Sequence, residues 1–148
     1  MHPTFQKILS ALDNDKILNR LGLGGIRIVK ERTRKGLDVD GKSFKPYSEG
    51  YKKKREEAGL VTDIVNLEFD DLEGMLHKVD HEVNNSLHSV QMLIDDPEKE
   101  TIAGYHNIQG AGKSKVIRKF WGFSEEEKEK LRDIALEGIH ESLLKALN

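Results

Sequence analysis

Apolar side chains recur at helical spacing towards both ends of the chain. The pattern predicts a first N-terminal helix that Thr4 caps, and a second that ends at Gly36, since glycine commonly follows a helix C-terminus. We expect a break between them near residues 22–25, because each of the three glycines there costs a helix about 1 kcal/mol relative to alanine. The apolar positions of this region are Phe5, Ile8, Leu9, Leu12, Ile17, Leu18, Leu21, Ile26 and Val29.

The middle of the chain changes to the alternation of half-buried strands. Residues 65–69 and 90–94 each place apolar and polar side chains in turn. We expect a helical turn at 72–79, a turn at 84–86, and a third strand or a short helix at 101–105. Short strands separated by turns favour antiparallel pairing. The sequence therefore predicts an α+β fold, with a small antiparallel sheet flanked by N-terminal helices and a C-terminal helix.

The C-terminal helix has the clearest start signal. Ser124 and Glu127 have the spacing of a capping box, and Glu125 and Glu126 place negative charge at the positive end of the helix. The apolar arc is wider than one core contact needs, which predicts a second packing surface or a subunit contact. Its members are Leu131, Ile134, Ala135, Leu136, Ile139, Leu143 and Leu147.

Two loops interrupt what we expect to be a single domain over residues 1–148. The first spans residues 37–48 and holds a turn at Asp40 and Gly41; it lacks the further oxygen ligands of a calcium loop. Ser48 is a candidate cap for a short basic helix that ends at Gly59. The second loop spans residues 109–116 and is rich in glycine. We expect both loops to be flexible.

Composition limits the classes of protein to which the chain can belong. It has no cysteine, which excludes disulfides and thiolate metal sites. No signal peptide and no apolar run near 20 residues are evident, so we expect a soluble protein in a cytoplasm or in an assembly made there. Residues 1–60 carry 14 Lys and Arg against 8 Asp and Glu, and residues 61–148 carry 10 against 18. Such asymmetry suits head-to-tail assembly or a basic face near nucleic acid, and also two solvated surfaces.

The strongest basic cluster is Lys52, Lys53, Lys54 and Arg55. Tyr47 and Tyr51 lie beside it, a combination of stacking groups and positive charge that resembles a nucleic-acid-binding surface. The alternative is a solvated helix face balanced by neighbouring glutamates. The cluster predicts, as a second function, a small nucleic-acid-binding module built on residues 42–55.

No constellation of residues predicts catalysis. His77 and His81 would share one face of a helix, but the HExxH order and a third zinc ligand are missing. Residues 110–114 end like a phosphate-binding loop, yet the earlier glycine of that pattern is Asn107 and the flanking segments are wrong. We therefore expect no enzymatic activity, no cofactor and no metal.

The segment from the second loop to the last helix combines lysines with aromatics and the only tryptophan. We interpret it as an assembly joint, in which a loop is anchored by aromatic packing and faces a neighbouring subunit. The candidate interface residues are Lys113, Lys115, Arg118, Phe120, Trp121 and Phe123.

The order of these features resembles the phage virion morphogenesis (tail completion) family of tailed bacteriophages and prophages. The resemblance covers most of the chain, and its pieces are degenerate alone but keep the family's order and spacing. Phe44 takes the place of the family's tryptophan and Lys119 that of its proline, Glu73-Gly74 replaces threonine-glycine, and His106 directly follows a tyrosine. The matching segments are residues 27–32, 38–48, 72–76, 105–110 and 117–124.

The resemblance implies a small α+β structural subunit without enzymatic activity. It would form a ring, a hexamer in the family, at the head-proximal end of a phage tail. Its partners would be further copies of itself, the tail-tube or tail-terminator protein, head-tail connector proteins and DNA in the channel. Its location would be the virion, and the host cytoplasm during assembly, with no membrane association.

Overall fold

The structure is a computed structural model that describes residues 12, 14–68 and 74–147. The fold is α+β, as predicted, with a two-stranded antiparallel sheet among the described residues. The elements in chain order are helix α1 (Asn14–Arg34), helix α2 (Glu49–Glu57), strand β1 (Val79–Asn84), strand β2 (Ser89–Ile94), helix α3 (Pro97–Gly104) and helix α4 (Glu125–Leu147). The first predicted helix, at residues 5–12, lies almost wholly outside the described residues.

Helix α1 runs without interruption through the glycines at which we expected a break. The glycines mark close packing instead, because each faces another element. A Cβ at Gly22 would overlap the imidazole of His81, one at Gly24 would lie 2.7 Å from Ile134 Cδ1, and one at Gly25 would lie 2.7 Å from Met92 Sδ. The helix propensity lost at these positions is therefore offset by packing against the sheet and α4. The predicted C-terminal glycine, Gly36, has φ 75° and follows the helix end at Arg34.

The sheet is a single hairpin whose register pairs Val79 with Ile94 and Asn84 with Ser89. The predicted second strand and the turn at 84–86 are confirmed. The predicted strand at 65–69 is wrong over residues 65–68, which form irregular backbone with Leu67 at φ 58°. A 3₁₀-helix at Met75–Lys78 leads directly into β1, so the helical turn expected at 72–79 is shorter than predicted, and residues 69–73 lie outside the described part.

Of the two structures predicted for residues 101–105, a third strand or a short helix, the short helix forms. It is α3, where the Asp96 carboxylate accepts hydrogen bonds from the backbone of Glu98 and Lys99 at 2.9 and 3.0 Å. A π-helical turn follows at Tyr105–Gln109. The capping box of α4 is confirmed: Ser124 N donates to Glu127 Oε2 at 2.9 Å, and Glu127 N donates to Ser124 Oγ at 3.2 Å. Ser48 precedes α2 without a side-chain cap.

The core lies beneath α1, between the hairpin and the two loops. Helix α1 packs on both strands and on α4. Arg32 of α1 is buried and donates hydrogen bonds to Phe120 O, to Gly122 O at 3.1 Å and to the carboxylate of Glu127. The main apolar cluster is Val29, Phe44, Tyr47, Val65, Leu67, Met75, Leu76, Ala103 and Phe120.

We predict that Gly22→Ala destabilises the fold by about 1–3 kcal/mol, because the new methyl group must displace the His81 ring from a packed position. The matched control is Gly50→Ala in α2, where a Cβ meets nothing within 4 Å. That change should be neutral or should stabilise the protein by up to about 1 kcal/mol through helix propensity. Urea unfolding of both variants measures the difference. Stabilisation by Gly22→Ala would contradict the packing role of this glycine.

Candidate assembly surfaces

Tyr47 lies between two buried guanidinium groups. The Arg55 guanidinium carbon is 4.8 Å from the centre of the tyrosine ring, and that of Arg118 is 5.4 Å away. Arg118 donates to Lys45 O and Pro46 O, both at 3.1 Å, and therefore ties the segment before α4 to the first loop. Arg55 donates to Val61 O at 2.9 Å, to Asn66 Oδ1 at 3.2 Å and to Glu68 O.

This arrangement corrects part of both predicted surfaces. Arg55 is 1% exposed, so it is not available to the DNA-facing cluster. Arg118 is 6% exposed and Phe120 is fully buried, so neither forms an assembly surface in the folded chain. These residues are apolar or bond carbonyl groups inside the domain, where an unpaired cation would be costly. The sequence interpretation that this segment is anchored by aromatic packing agrees with these contacts.

The lysines of both predicted surfaces are accessible to different degrees. Lys53 and Lys54 are exposed on α2, whereas Lys52 is half-buried and pairs with Glu49 at 2.9 Å. Tyr51 is exposed at the edge of the Tyr47 ring. Lys113 and Lys115 are exposed at the second loop.

The second loop is a tight backbone turn, and we name residues 108–117 the basic loop. Ala111 and Val116 form an antiparallel bridge, with N···O distances of 2.9 and 3.1 Å. Gly110 has φ 87°, and a Cβ there would overlap the backbone of Lys115, so the turn requires glycine. Ile108 and Ile117 flank the loop and are 72% and 46% exposed. The loop therefore presents isoleucines at its base and lysines near its tip.

A mainly apolar groove of about 480 Å³ lies between α1, β2 and the start of α4. Trp121 and Phe123, two of the predicted interface residues, form part of its wall and are half-buried. Trp121 N donates to Asn107 Oδ1 at 3.1 Å, which fixes this wall to the π-helical turn. The lining residues are Leu21, Gly22, Gly25, Val90, Gln91, Met92, Trp121, Gly122, Phe123 and Leu131.

Strand β2 contributes an unpaired edge to the groove. No described strand pairs with its outer side. Asp95 N donates to Lys78 O at 2.7 Å, so these two residues form a hydrogen-bonded pair of the hairpin. Hydrogen-bonded and non-hydrogen-bonded pairs alternate along an antiparallel ladder, so His81–Met92 and Val83–Val90 are non-hydrogen-bonded pairs. The backbone groups of Val90 and Met92 therefore point away from β1. Free strand edges are a common site of association between chains.

Two titratable groups, the half-buried His106 and the buried Tyr47, adjoin the anchored segment. Burial, and then the nearby charge of Arg118, lower the pKa of His106 to about 4. Burial raises the pKa of Tyr47, although Arg55 opposes that shift. The hydroxyl oxygen of Tyr47 accepts a hydrogen bond from Leu67 N at 3.2 Å and so holds the left-handed backbone of that residue.

The structure separates the residues of the two weaker chemical candidates. His77 lies in the 3₁₀-helix and His81 on β1, so they do not share a helix face. The described residues contain no group of three or more histidines and carboxylates placed to hold a metal ion. Residues 110–114 belong to a tight turn that is followed by an isolated bridge residue and irregular backbone, whereas a phosphate-binding loop leads into a helix.

The charge asymmetry of the sequence is partly neutralised within the chain. Cations of α1 pair with acids of the second half: Arg20 lies 3.0 Å from Glu141, and Arg34 lies 2.9 Å from Glu68. Asymmetry nevertheless persists locally. Residues 79–96 hold four carboxylates and no Lys or Arg, whereas residues 101–123 hold four Lys and Arg and no carboxylate.

The sequence interpretation missed the contribution of Val90, Met92 and the α1 glycines to a surface. Alternation did place Val90 and Met92 on one face of a strand. Gly22 and Gly25 lie about one helical turn apart and therefore share a helix face. This spacing in the sequence could have predicted a close contact of that face with another element.

Comparisons of the chain with protein-family models, with curated proteins and with solved structures find no match. None of the helices in the described part is both long and apolar enough to cross a membrane.

We predict that Tyr47→Phe lowers the free energy of unfolding by about 1–3 kcal/mol at neutral pH, because it leaves the buried amide of Leu67 unpaired. Alkaline conditions give a second signature. An unfolded tyrosine ionises near pH 10 and the folded one only at higher pH, so wild-type stability should fall as pH rises above about 10. Tyr47→Phe should reduce this fall. The exposed Tyr51→Phe is the control and should change stability by less than about 0.5 kcal/mol.

We predict that His106 destabilises the fold in acid. Its folded pKa lies below the ordinary value of 6.5, so the unfolded state binds a proton first as pH falls, and stability is lost between about pH 6.5 and 4. The loss should reach up to about 3 kcal/mol. Denaturant titrations at several pH values should show that His106→Gln removes this component. His140→Gln on α4 retains His106 and should therefore keep it; equal acid slopes for wild type and His106→Gln would refute the assignment.

Proposed function

We propose that the protein is a structural subunit of a phage virion that forms a ring at the head-proximal end of the tail and completes the tail or joins it to the head. The observation that carries this proposal is the exposed apolar surface of the basic loop. Ile108, Ile117 and neighbouring Tyr105 are exposed, although the backbone on either side is anchored by buried contacts. Several exposed apolar side chains beside one anchored turn favour a surface that a partner covers.

The location of this surface supports the tail-completion interpretation. The loop joins the two motif segments, 105–110 and 117–124, that carry much of the resemblance to the tail completion family. Arg118 and Phe120 of the second segment are buried, so these two motif residues stabilise the fold. Motif residues therefore hold the loop in place, and the residues between them remain free to contact a neighbour.

The proposal assigns a binding role and no chemistry. The partners are further copies of the chain in a ring, the tail-tube or tail-terminator protein, head-tail connector proteins, and DNA in the channel. The protein would act in the virion and be assembled in the host cytoplasm. It needs no cofactor or metal.

Nucleic-acid binding is the second candidate, and the exposure of Lys53 and Lys54 beside Tyr51 favours it. With Arg55 buried and Lys52 paired, this surface is smaller than the sequence indicated. Contacts of this kind are to phosphates, so they would be sensitive to salt and insensitive to base sequence. A ring that encloses DNA would be compatible with both functions.

Sedimentation velocity and negative-stain microscopy of the full chain test the leading proposal. We expect assembly that increases with protein concentration, closed rings in the images, and co-sedimentation with the tail-tube protein from the same genome. A monomer at every concentration that also fails to bind the tail-tube protein would refute the proposal. Titration with duplex DNA at low salt distinguishes the second candidate function from the first, because DNA binding by the monomer would favour a nucleic-acid-binding module.

A further inference from the structure

We propose that the apolar groove between α1, β2 and α4 receives the basic loop, residues 108–117, of a second copy of the chain. This inference rests on the proposed assembly function and identifies the two surfaces that would meet. One surface is concave and apolar, and the other projects and carries exposed isoleucines. The two surfaces consist of different residues, so the contact is heterologous, and such contacts close into rings when the rotation between subunits permits.

Shape and polarity are the first part of the argument. The groove has a volume of about 480 Å³, enough for several apolar side chains, and Trp121 and Phe123 stand in its wall. Of its ten lining residues, only Gln91 has a polar side chain apart from the indole nitrogen of Trp121. Ile108 and Ile117 are the most exposed apolar side chains of the basic loop. Their transfer from water into the groove supplies a hydrophobic driving force.

Charge complementarity is the second part, and it selects this occupant. The hairpin that forms one side of the groove carries Asp80 and Glu82 as exposed side chains, and no Lys or Arg lies within residues 79–96. The basic loop carries Lys113 and Lys115 as exposed side chains, and no carboxylate lies within residues 101–123. Glu82 pairs across the sheet with Gln91, a lining residue. Loop lysines beyond the groove would therefore meet carboxylates, which favours this orientation and accelerates encounter.

The outer edge of β2 is the third part. The backbone of Val90 and Met92 faces the groove side without a described strand beside it. Residues 117–120 follow the bridge without helix or strand, and the backbone groups of Arg118, Lys119 and Phe120 take part in hydrogen bonds within the domain. The outer edge of β2 therefore offers unpaired backbone groups beside the groove, and such edges are a common site of association between chains.

Cross-linking tests the contact directly, since the chain has no cysteine of its own. Gln91→Cys places a thiol at the groove, and Ile117→Cys places one on the loop; both positions are exposed. Under mild oxidation, a mixture of the two variants should give a disulfide-linked 91–117 pair between chains, identified by mass spectrometry. The control replaces Ile117→Cys with Ile64→Cys, an isoleucine of similar exposure, 43%, on another surface. Equal yields from the two mixtures would overturn the proposal.

Complementation provides the second measurement. Ile117→Glu and Val90→Lys should each weaken self-association by about tenfold or more. Ile117→Glu places a charge on the apolar side of the contact, and Val90→Lys places a positive charge in the groove, where it repels the loop lysines. A mixture of the two variants retains one intact groove and one intact loop, so it should recover a dimer. The control Ile64→Glu should assemble as wild type does. Thermal unfolding checks that each variant folds, and exposed Gln91→Lys replaces Val90→Lys if the latter does not.

Trp121 gives an independent readout, because it is the only tryptophan and lines the groove. Its emission should move to shorter wavelength as wild-type concentration rises, and Ile117→Glu should abolish the change. Rings that persist in both variants, without a 91–117 cross-link, would overturn this contact while leaving the proposed function standing. A wild-type chain that stays monomeric and fails to bind the tail-tube protein would overturn both.

Discussion

The stacking of two buried arginines on Tyr47 is the interaction on which the rest of the structure depends. Neither guanidinium is paired with a carboxylate among the described residues; each donates to backbone carbonyls, and Arg55 also donates to the side-chain amide oxygen of Asn66. Such cations tolerate burial only if their donors are satisfied, so each arginine fixes the path of the backbone that surrounds it. Arg55 shapes residues 61–68, and Arg118 joins the first loop to the segment before α4. Two stretches without regular secondary structure thereby acquire a defined geometry.

The anchored backbone explains how the basic loop can bind one partner surface specifically. An apolar loop on a mobile base would lose entropy on binding, whereas the basic loop begins and ends at anchored residues. His106 O accepts from Arg118 N at 2.7 Å, and Asn107 Oδ1 accepts from Trp121 N, so both ends of the loop are held together. The same contacts place Trp121 and Phe123 in the groove wall. The same set of buried contacts therefore positions both the basic loop and the apolar groove.

Local signals predicted several helix ends, strand β2, the turn before it and the α4 capping box, because these depend on side chains a few residues apart; they did not predict β1. The errors arose where distant residues override local preference. Glycines at 22, 24 and 25 weaken an isolated helix, but His81, Ile134 and Met92 require their small size in the folded chain. Alternation at 65–68 looked like a strand, yet Tyr47 and Arg55 take up its backbone groups and no partner strand is needed. Charged character likewise placed Arg55 and Arg118 at the surface, since nothing in the local sequence marks an arginine that will stack on a buried ring.

Arg32 has a consequence for the order in which the chain can fold. It lies in the first quarter of the sequence, and its partners are Phe120, Gly122 and Glu127, 88 to 95 residues later. Contacts of such long sequence separation are slow to form, since a large loop must close before they stabilise anything. During synthesis, helix α1 emerges from the ribosome long before these acceptors exist. The hairpin can cover Gly22 and Gly25 once residues 81 and 92 have emerged, but the Arg32 guanidinium lacks these partners until residues 120–127 have been made, so α1 stays incompletely packed into translation of the last third of the chain.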